Sequence, residues 1–289
     1  TLKGFGKAAG IPSATWASAP NLNTAGTNAA GATAGSQTAA LIFAGDRPSR
    51  VTVTEKFDGS SWTTVNSMST GRNSLGGAGT TTSALGFGGG TPSYTADTEE
   101  YDGTNWSEGG DLNTARQTTG AGASNSSALA VGGYDPGAVT NAVEQYNGTS
   151  WTEIAEINTA RYIIQNTGTV TAMLGSGGQP ANAKVESWDG TSWTETTDLG
   201  TAKAGGYGSG SQAAALYAGG NDGSSNIATT EYWNGSSWTE IADISSGRNA
   251  GSNTGAGSSV AAIIYSGTGP GNQTEEFTSD NTLSTVTVS

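Results

Sequence analysis

Six glutamates, Glu55, Glu99, Glu144, Glu186, Glu231 and Glu275, each stand two residues before an aromatic side chain: Phe57, Tyr101, Tyr146, Trp188, Trp233 and Phe277. Five residues beyond the first five of these aromatics comes a tryptophan, at Trp62, Trp106, Trp151, Trp193 and Trp238, and Trp16 opens the series. Ten residues after each tryptophan lies Gly26, Arg72, Arg116, Arg161, Lys203 or Arg248. A carboxylate and a base in register suggest acid–base chemistry or anion capture. Catalysis, however, needs a few groups that their surroundings make different, and six equivalent carboxylates are not that. The expected role of the glutamates is therefore a Glu–Arg or Glu–backbone bond repeated in every unit, of the kind that fixes register.

Composition removes other chemistries. The 289 residues include no Cys and no His, which excludes disulfides, thiolate nucleophiles and metal sites, and every Ser-His or Cys-His arrangement. A net charge of −13 argues against nucleic acid, whose binding depends on bases neutralising phosphates. No apolar run approaches the roughly 20 residues of a membrane span. Only 12% of residues are charged, about half the typical ~25%. The regularly placed aromatics nevertheless predict a packed core rather than disorder. The N-terminal "TLKGFGKAAG" lacks Met and an apolar signal core, which reads as a processed chain or a fragment.

The elements that must position these side chains follow from the repeat. The intervals between tryptophans are 46, 44, 45, 42 and 45 residues. Stretches such as "EEYDGTNWSEGGDLNTAR" (99–116) and "EQYNGTSWTEIAEINTAR" (144–161) are near copies. Each unit also holds a short apolar run ending in small residues, for example "SALAVGG" (127–133), preceded by a Gly/Ala/Ser/Thr stretch. Short apolar runs bounded by glycine read as buried strands. In five units an Asp-Gly or Asn-Gly pair lies between aromatic and tryptophan, which predicts a tight hairpin with both residues at positive φ. Four strands per unit of about 45 residues, six times over, predict an all-β, six-bladed β-propeller of four-stranded blades. The aromatics are expected to fill the space between blades, and the small residues to line the crowded axis. An apolar run, a double glycine and a spaced aromatic and Trp resemble the kelch repeat from Trp16 to Phe277, which implies a kelch-like propeller.

The domain layout expected is a lead-in segment (1–10), the propeller (11–278) and a C-terminal strand or tail (279–289). Six W strands are present, but no Trp follows Phe277. The preferred closure has the strand around Trp16 complete the last blade, which removes an open edge. The alternative assigns that place to "TLSTVTVS" (282–289). The loops between second and third strands vary most, and a varied loop set on a repeated frame is how a scaffold presents a binding surface. On that face Tyr94 and Tyr134 are candidates for stacking on sugar rings, and Asp135, Asn221 and Asp222 are further candidate contacts. The Asp/Asn-rich loop 221–226 lacks EF-hand spacing, and no metal or cofactor is expected. Arg72, Arg116, Arg161, Lys203 and Arg248 are expected to cluster near the central channel on the same face. They serve there either as partners of the glutamates or as contacts to an anionic ligand.

The units E-[YW]-[DN]-G-[ST]-x-W-T-E and N-T-A-R are similar to those of kelch-like propellers encoded by tailed, especially marine, bacteriophages. That resemblance implies a non-catalytic virion protein of the tail or particle surface, extracellular or virion-borne. Its partners would be other virion proteins, copies of itself in an assembly, or a host-surface glycan or receptor. A bacterial extracellular adhesin or carbohydrate-binding propeller is the alternative. Galactose-oxidase-like copper chemistry is excluded because it needs His and Cys.

Overall fold

The computed structural model describes residues 14–46, 49–90, 92–250, 254–269 and 271–279. Among them there is no helix, and 24 strands form six four-stranded antiparallel sheets. Blade 1 comprises β2 (Ala30–Gly31), β3 (Ala40–Phe43), β4 (Thr54–Phe57) and β5 (Trp62–Val65). Blade 2 comprises β6 (Gly76–Thr80), β7 (Ser83–Phe87), β8 (Thr98–Tyr101) and β9 (Trp106–Glu108). Blade 3 comprises β10 (Gln117–Ser124), β11 (Ser127–Tyr134), β12 (Val139–Tyr146) and β13 (Trp151–Ile154). Blade 4 comprises β14 (Gln165–Thr169), β15 (Ala172–Ser176), β16 (Val185–Trp188) and β17 (Trp193–Glu195). Blade 5 comprises β18 (Tyr207–Ser211), β19 (Ala214–Ala218), β20 (Thr230–Trp233) and β21 (Trp238–Ile241). Blade 6 comprises β22 (Gly255–Gly257), β23 (Ala261–Tyr265) and β24 (Thr274–Ser279), completed by β1 (Ala14–Ala19). The protein is a six-bladed β-propeller.

Strand β1 closes the ring as the Trp16 expectation had it. It runs antiparallel to β24 from Ala14 opposite Ser279 to Ala19 opposite Thr274. The Trp16 ring lies 5.0 Å from Phe277, and its indole N–H reaches back to the Ala242 carbonyl of blade 5 at 3.0 Å. Segment 282–289, the alternative closing strand, lies outside the described residues, as does the 1–10 lead-in.

Packing explains both recurring residue classes. Each Trp stacks on the aromatic of its own blade, as in Tyr146–Trp151 at 5.0 Å. Trp62, Trp106 and Trp151 also reach Tyr265, Phe43 and Phe87 of the preceding blade at 5.0, 4.8 and 4.8 Å. The buried clusters accordingly bridge neighbouring blades. At particular glycines the inner strands approach too closely for any side chain. A Cβ on Gly77 would sit 2.4 Å from the Gly31 carbonyl oxygen, and one on Gly255 would sit 2.4 Å from that of Gly208.

The Asp-Gly hairpins differ from expectation. Of the Asp-Gly or Asn-Gly pair only the glycine has positive φ, for example 94° at Gly59. The acidic residue acts through its side chain instead. Asp58 Oδ1 accepts from the amides of Ser60 and Ser61, both at 2.8 Å. Asn147 does the same with Thr149 and Ser150 at 2.9 and 3.0 Å. Such Asx turns explain why Asp and Asn interchange here. Hydrogen bonds from the Ser60 hydroxyl, then from the Ser60 and Ser61 amides, hold Asp58 down at about 2. A depressed carboxylate stabilises the fold above its unfolded value of 3.8, and that contribution is lost as pH falls toward 2. Asp58→Asn is expected to keep the turn and melt like the parent at neutral pH, while no longer titrating in that window. Carboxyl NMR titration checks this, and an Asp58 midpoint near 3.8 would refute it.

Candidate functional site

The bases do not line the channel, which corrects the channel-facing expectation. Arg72, Arg116, Arg161, Lys203 and Arg248 are all buried. Each pairs with the glutamate of the blade it enters. Arg72–Glu99, Arg161–Glu186, Lys203–Glu231 and Arg248–Glu275 lie at 3.0, 3.1, 3.0 and 2.9 Å, and Arg116 pairs with Glu144. The second carboxylate oxygen takes a backbone amide of the incoming linker. Ser69 donates to Glu99 at 2.7 Å, Asn113 to Glu144 at 2.8 Å and Asn158 to Glu186 at 2.7 Å. In blade 1, where Gly26 holds the basic position, the amides of Asn23 and Thr24 still donate to Glu55, at 2.8 and 3.2 Å. The glutamate thus ties each linker to its blade by amide and, in five blades, by base, and the base is drawn inward because its partner is itself buried. Burial pushes the Lys203 ammonium below its ordinary value, an effect Glu231 opposes. None of the five lines the cleft over blades 1 to 3, although Arg248 borders a smaller pocket with Gln273 and Glu275.

The surface above them is built from two positions per blade: the residue after the base and the residue after the double glycine. These bridge each other at Thr27–Asp46, Asn73–Gly90, Gln117–Tyr134, Tyr162–Gln179 and Ala204–Asn221. At the axis, backbone bonds from Ser74 N to Asn28 O (2.8 Å), Asn28 N to Ala250 O (2.9 Å) and Ala250 N to Gly205 O (2.7 Å) link blades. The frame repeats, and these two positions do not.

Their differences open a cleft of about 570 Å³ over blades 1 to 3, lined among others by Arg50, Asn73, Ser74, Tyr94, Gln117 and Tyr134. Two sequence features place it there. Blade 2 has Gly90 where the other blades carry Asp46, Tyr134, Gln179, Asn221 and Thr268. In blade 3, β11 continues to Tyr134 and β12 begins at Val139, so that hairpin stands as a wall. Tyr94 and Tyr134 meet edge to face at 5.9 Å, and Tyr162 extends the row at 5.6 Å from Tyr134. Burial, then the Tyr134 and Tyr162 phenols, push the Tyr94 hydroxyl above its ordinary value, which keeps it a neutral donor. Asp46 holds Asn73 and Asn28 by their amide groups at 2.7 and 3.2 Å. No carboxylate lines the cleft.

The structure thus brings Tyr94 and Tyr134 together but not the other loop candidates. Asp135 caps its own turn, accepting from Gly137 and Ala138 at 2.8 and 2.9 Å, and its pKa is lowered by those two bonds. Asp222 does likewise with Ser224 and Ser225, both at 2.8 Å, and Asn221 accepts from Gly223 at 2.9 Å. These side chains are spent on local turn geometry in blades 3 and 5. Among the described residues no cluster of His, Cys, Asp or Glu is arranged to hold a metal. Arg50, Asn73, Gln117 and Tyr162 escaped the sequence reading. For Asn73, Gln117 and Tyr162 the signal was the break in the repeat just after the basic residue, and for Arg50 it was the variable loop 46–50.

No family model and no curated protein matches the sequence. Among solved structures the chain is similar to the structure of YjhT, with a TM-score of 0.71 and 14% identity, over 89% of this chain and 95% of that one. At that identity the likeness is one of fold, in keeping with the six-bladed β-propeller.

Proposed function

We propose that this chain is a non-catalytic, kelch-like recognition propeller of a bacteriophage virion, carried on the tail or particle surface, whose loop face binds a host-surface glycan. The observation that carries the binding role is the Tyr94–Tyr134 pair in an open cleft flanked by amide side chains. Aromatic faces receive the apolar face of a sugar ring, and amides receive its hydroxyls. The virion setting rests on the likeness of the repeated units to phage propellers. The non-catalytic reading is supported by the repeated glutamates being committed to buried ion pairs and by a cleft without carboxylates.

Binding of the protein to a glycan array and to host cells tests this. Tyr134→Ala is expected to weaken the bound signal about tenfold or more, as truncation of an aromatic anchor does, with an unchanged melting temperature. Silence of the parent protein across array and cells would overturn the recognition role. Failure to find the chain in purified particles by mass spectrometry would overturn the virion setting.

A further inference from the structure

We propose that the cleft selects a sugar chain bearing carboxylates, of the hexuronate type, with Arg50 as the residue that receives the acid group. The proposal rests on the glycan-binding reading and names its substrate class.

Cations are scarce on this protein, and where they stand is informative. The chain carries 11 Lys and Arg against 24 Asp and Glu. Among the described residues, five bases are buried in the linker ion pairs, Lys184 pairs with Glu195 at 3.4 Å, and Lys56 lies on β4 outside the cleft lining. Arg50 is exposed, lines the cleft, and pairs with no carboxylate among the described residues. A guanidinium left without an acid beside stacked tyrosines is arranged for a planar, two-oxygen partner, because its fork matches a carboxylate. The side chain of Gln117 makes no hydrogen bond among the described residues, and Tyr94 remains a neutral donor, so both are available to hydroxyls. The row Tyr94, Tyr134, Tyr162 runs from blade 2 to the entry of blade 4, which suits an extended chain rather than a single sugar.

The net negative charge does not preclude this ligand. Glu108, Glu153, Glu195 and Glu240 lie on or at the ends of the exposed outer strands, away from the cleft. At physiological salt, screening confines exposed charges to about 8 Å. Nearer by, the Asp46 carboxylate is taken up by the Asn28 and Asn73 amides and Asp135 by its own turn, so Arg50 is the charged side chain that the cleft lining presents among the described residues.

Gly90 supplies a way to close the cleft without disturbing the blade. Its φ lies outside the left-handed region. A Cβ there would meet only the Asn73 side-chain oxygen at 3.2 Å and the Tyr94 ring at 3.8 Å. Gly90→Gln, which copies the residue of blade 4 at this position, should fold normally and fill the site.

Calorimetric titration with a polygalacturonate oligomer, and with the same oligomer after carboxyl reduction, tests the proposal. The acidic oligomer is expected to bind about tenfold or more tightly than the reduced one. Arg50→Gln should erase that preference while keeping the weaker neutral binding, and Gly90→Gln should abolish both at an unchanged melting temperature. Equal binding of the two oligomers, or a preference that survives Arg50→Gln, would overturn the carboxylate proposal and leave glycan recognition standing. Undiminished binding by Gly90→Gln would show that the chain sits elsewhere and overturn the assignment to this cleft. If the parent binds neither oligomer and no array glycan, both readings fall.

Discussion

Glu186→Ala is expected to destabilise the protein by about 3–5 kcal/mol, the cost of leaving a buried charge without its partner. Glu186 and Arg161 are both fully buried, with Arg161 Nη1 3.1 Å from Glu186 Oε1. The other oxygen accepts from the backbone and side-chain amides of Asn158, each at 2.7 Å. Asn158 in turn donates to the Trp193 carbonyl at 3.2 Å. One carboxylate therefore holds the linker, the guanidinium and, through Asn158, the outer strand. Removing it strands a guanidinium that still donates to the Gly175 carbonyl at 3.2 Å but has lost its countercharge.

The double variant Arg161→Met/Glu186→Leu should recover part of that loss, since apolar replacement removes both desolvation penalties. It should not recover all of it, because the linker amides lose their acceptor. The exposed pair Lys184–Glu195, with side chains 41% and 49% exposed, is the internal contrast. Lys184→Ala should change stability by no more than about 1 kcal/mol. Urea midpoints measure all three. A Glu186→Ala midpoint indistinguishable from the parent would refute a structural role for the glutamate ring.

Deleting residues 1–19 is expected to have the larger effect, abolishing the cooperative unfolding transition. That deletion removes the six-residue strand β1 and bares the whole length of β24. An unpaired inner edge invites pairing with other chains. It also removes Trp16 from between Phe277 and the Ala242 carbonyl; truncating a Trp in a packed site alone costs about 3–5 kcal/mol. Domains are stable by about 5–15 kcal/mol in total, so a lost strand and a lost aromatic together approach or exceed the margin. Size-exclusion chromatography should show aggregated or self-associated material. A synthetic peptide covering 11–21 should restore a monomeric, cooperatively melting particle. A truncated chain that melts like the parent would show that β1 is not what closes the ring.

Much of this architecture was legible because a repeat states its own spacing. The register of Trp, aromatic and glutamate specified six blades, and the absence of a Trp after Phe277 pointed to Trp16 as the closing strand. The partnership of glutamate with base was also readable, as two ring-forming series of opposite charge. The depth of that pair was not. Whether Arg72 or Arg161 faces the channel or the sheet depends on where the neighbouring linker runs, which the spacing leaves open. The Asp-Gly hairpins misled for a related reason: the dipeptide signals a turn, but the backbone conformation of Asp58 and its Asx bond depend on how the strands leave the blade.

The sequence by itself determined the number of blades, their strand order and the residues that join them, because each unit contacts chiefly itself and its neighbours. Only the tertiary structure decided the binding surface. The cleft needs Arg50, Tyr94 and Tyr134, three loops from three blades, to converge over the absent side chain of Gly90. That convergence is a property of ring curvature, to which every blade contributes and which no single repeat encodes.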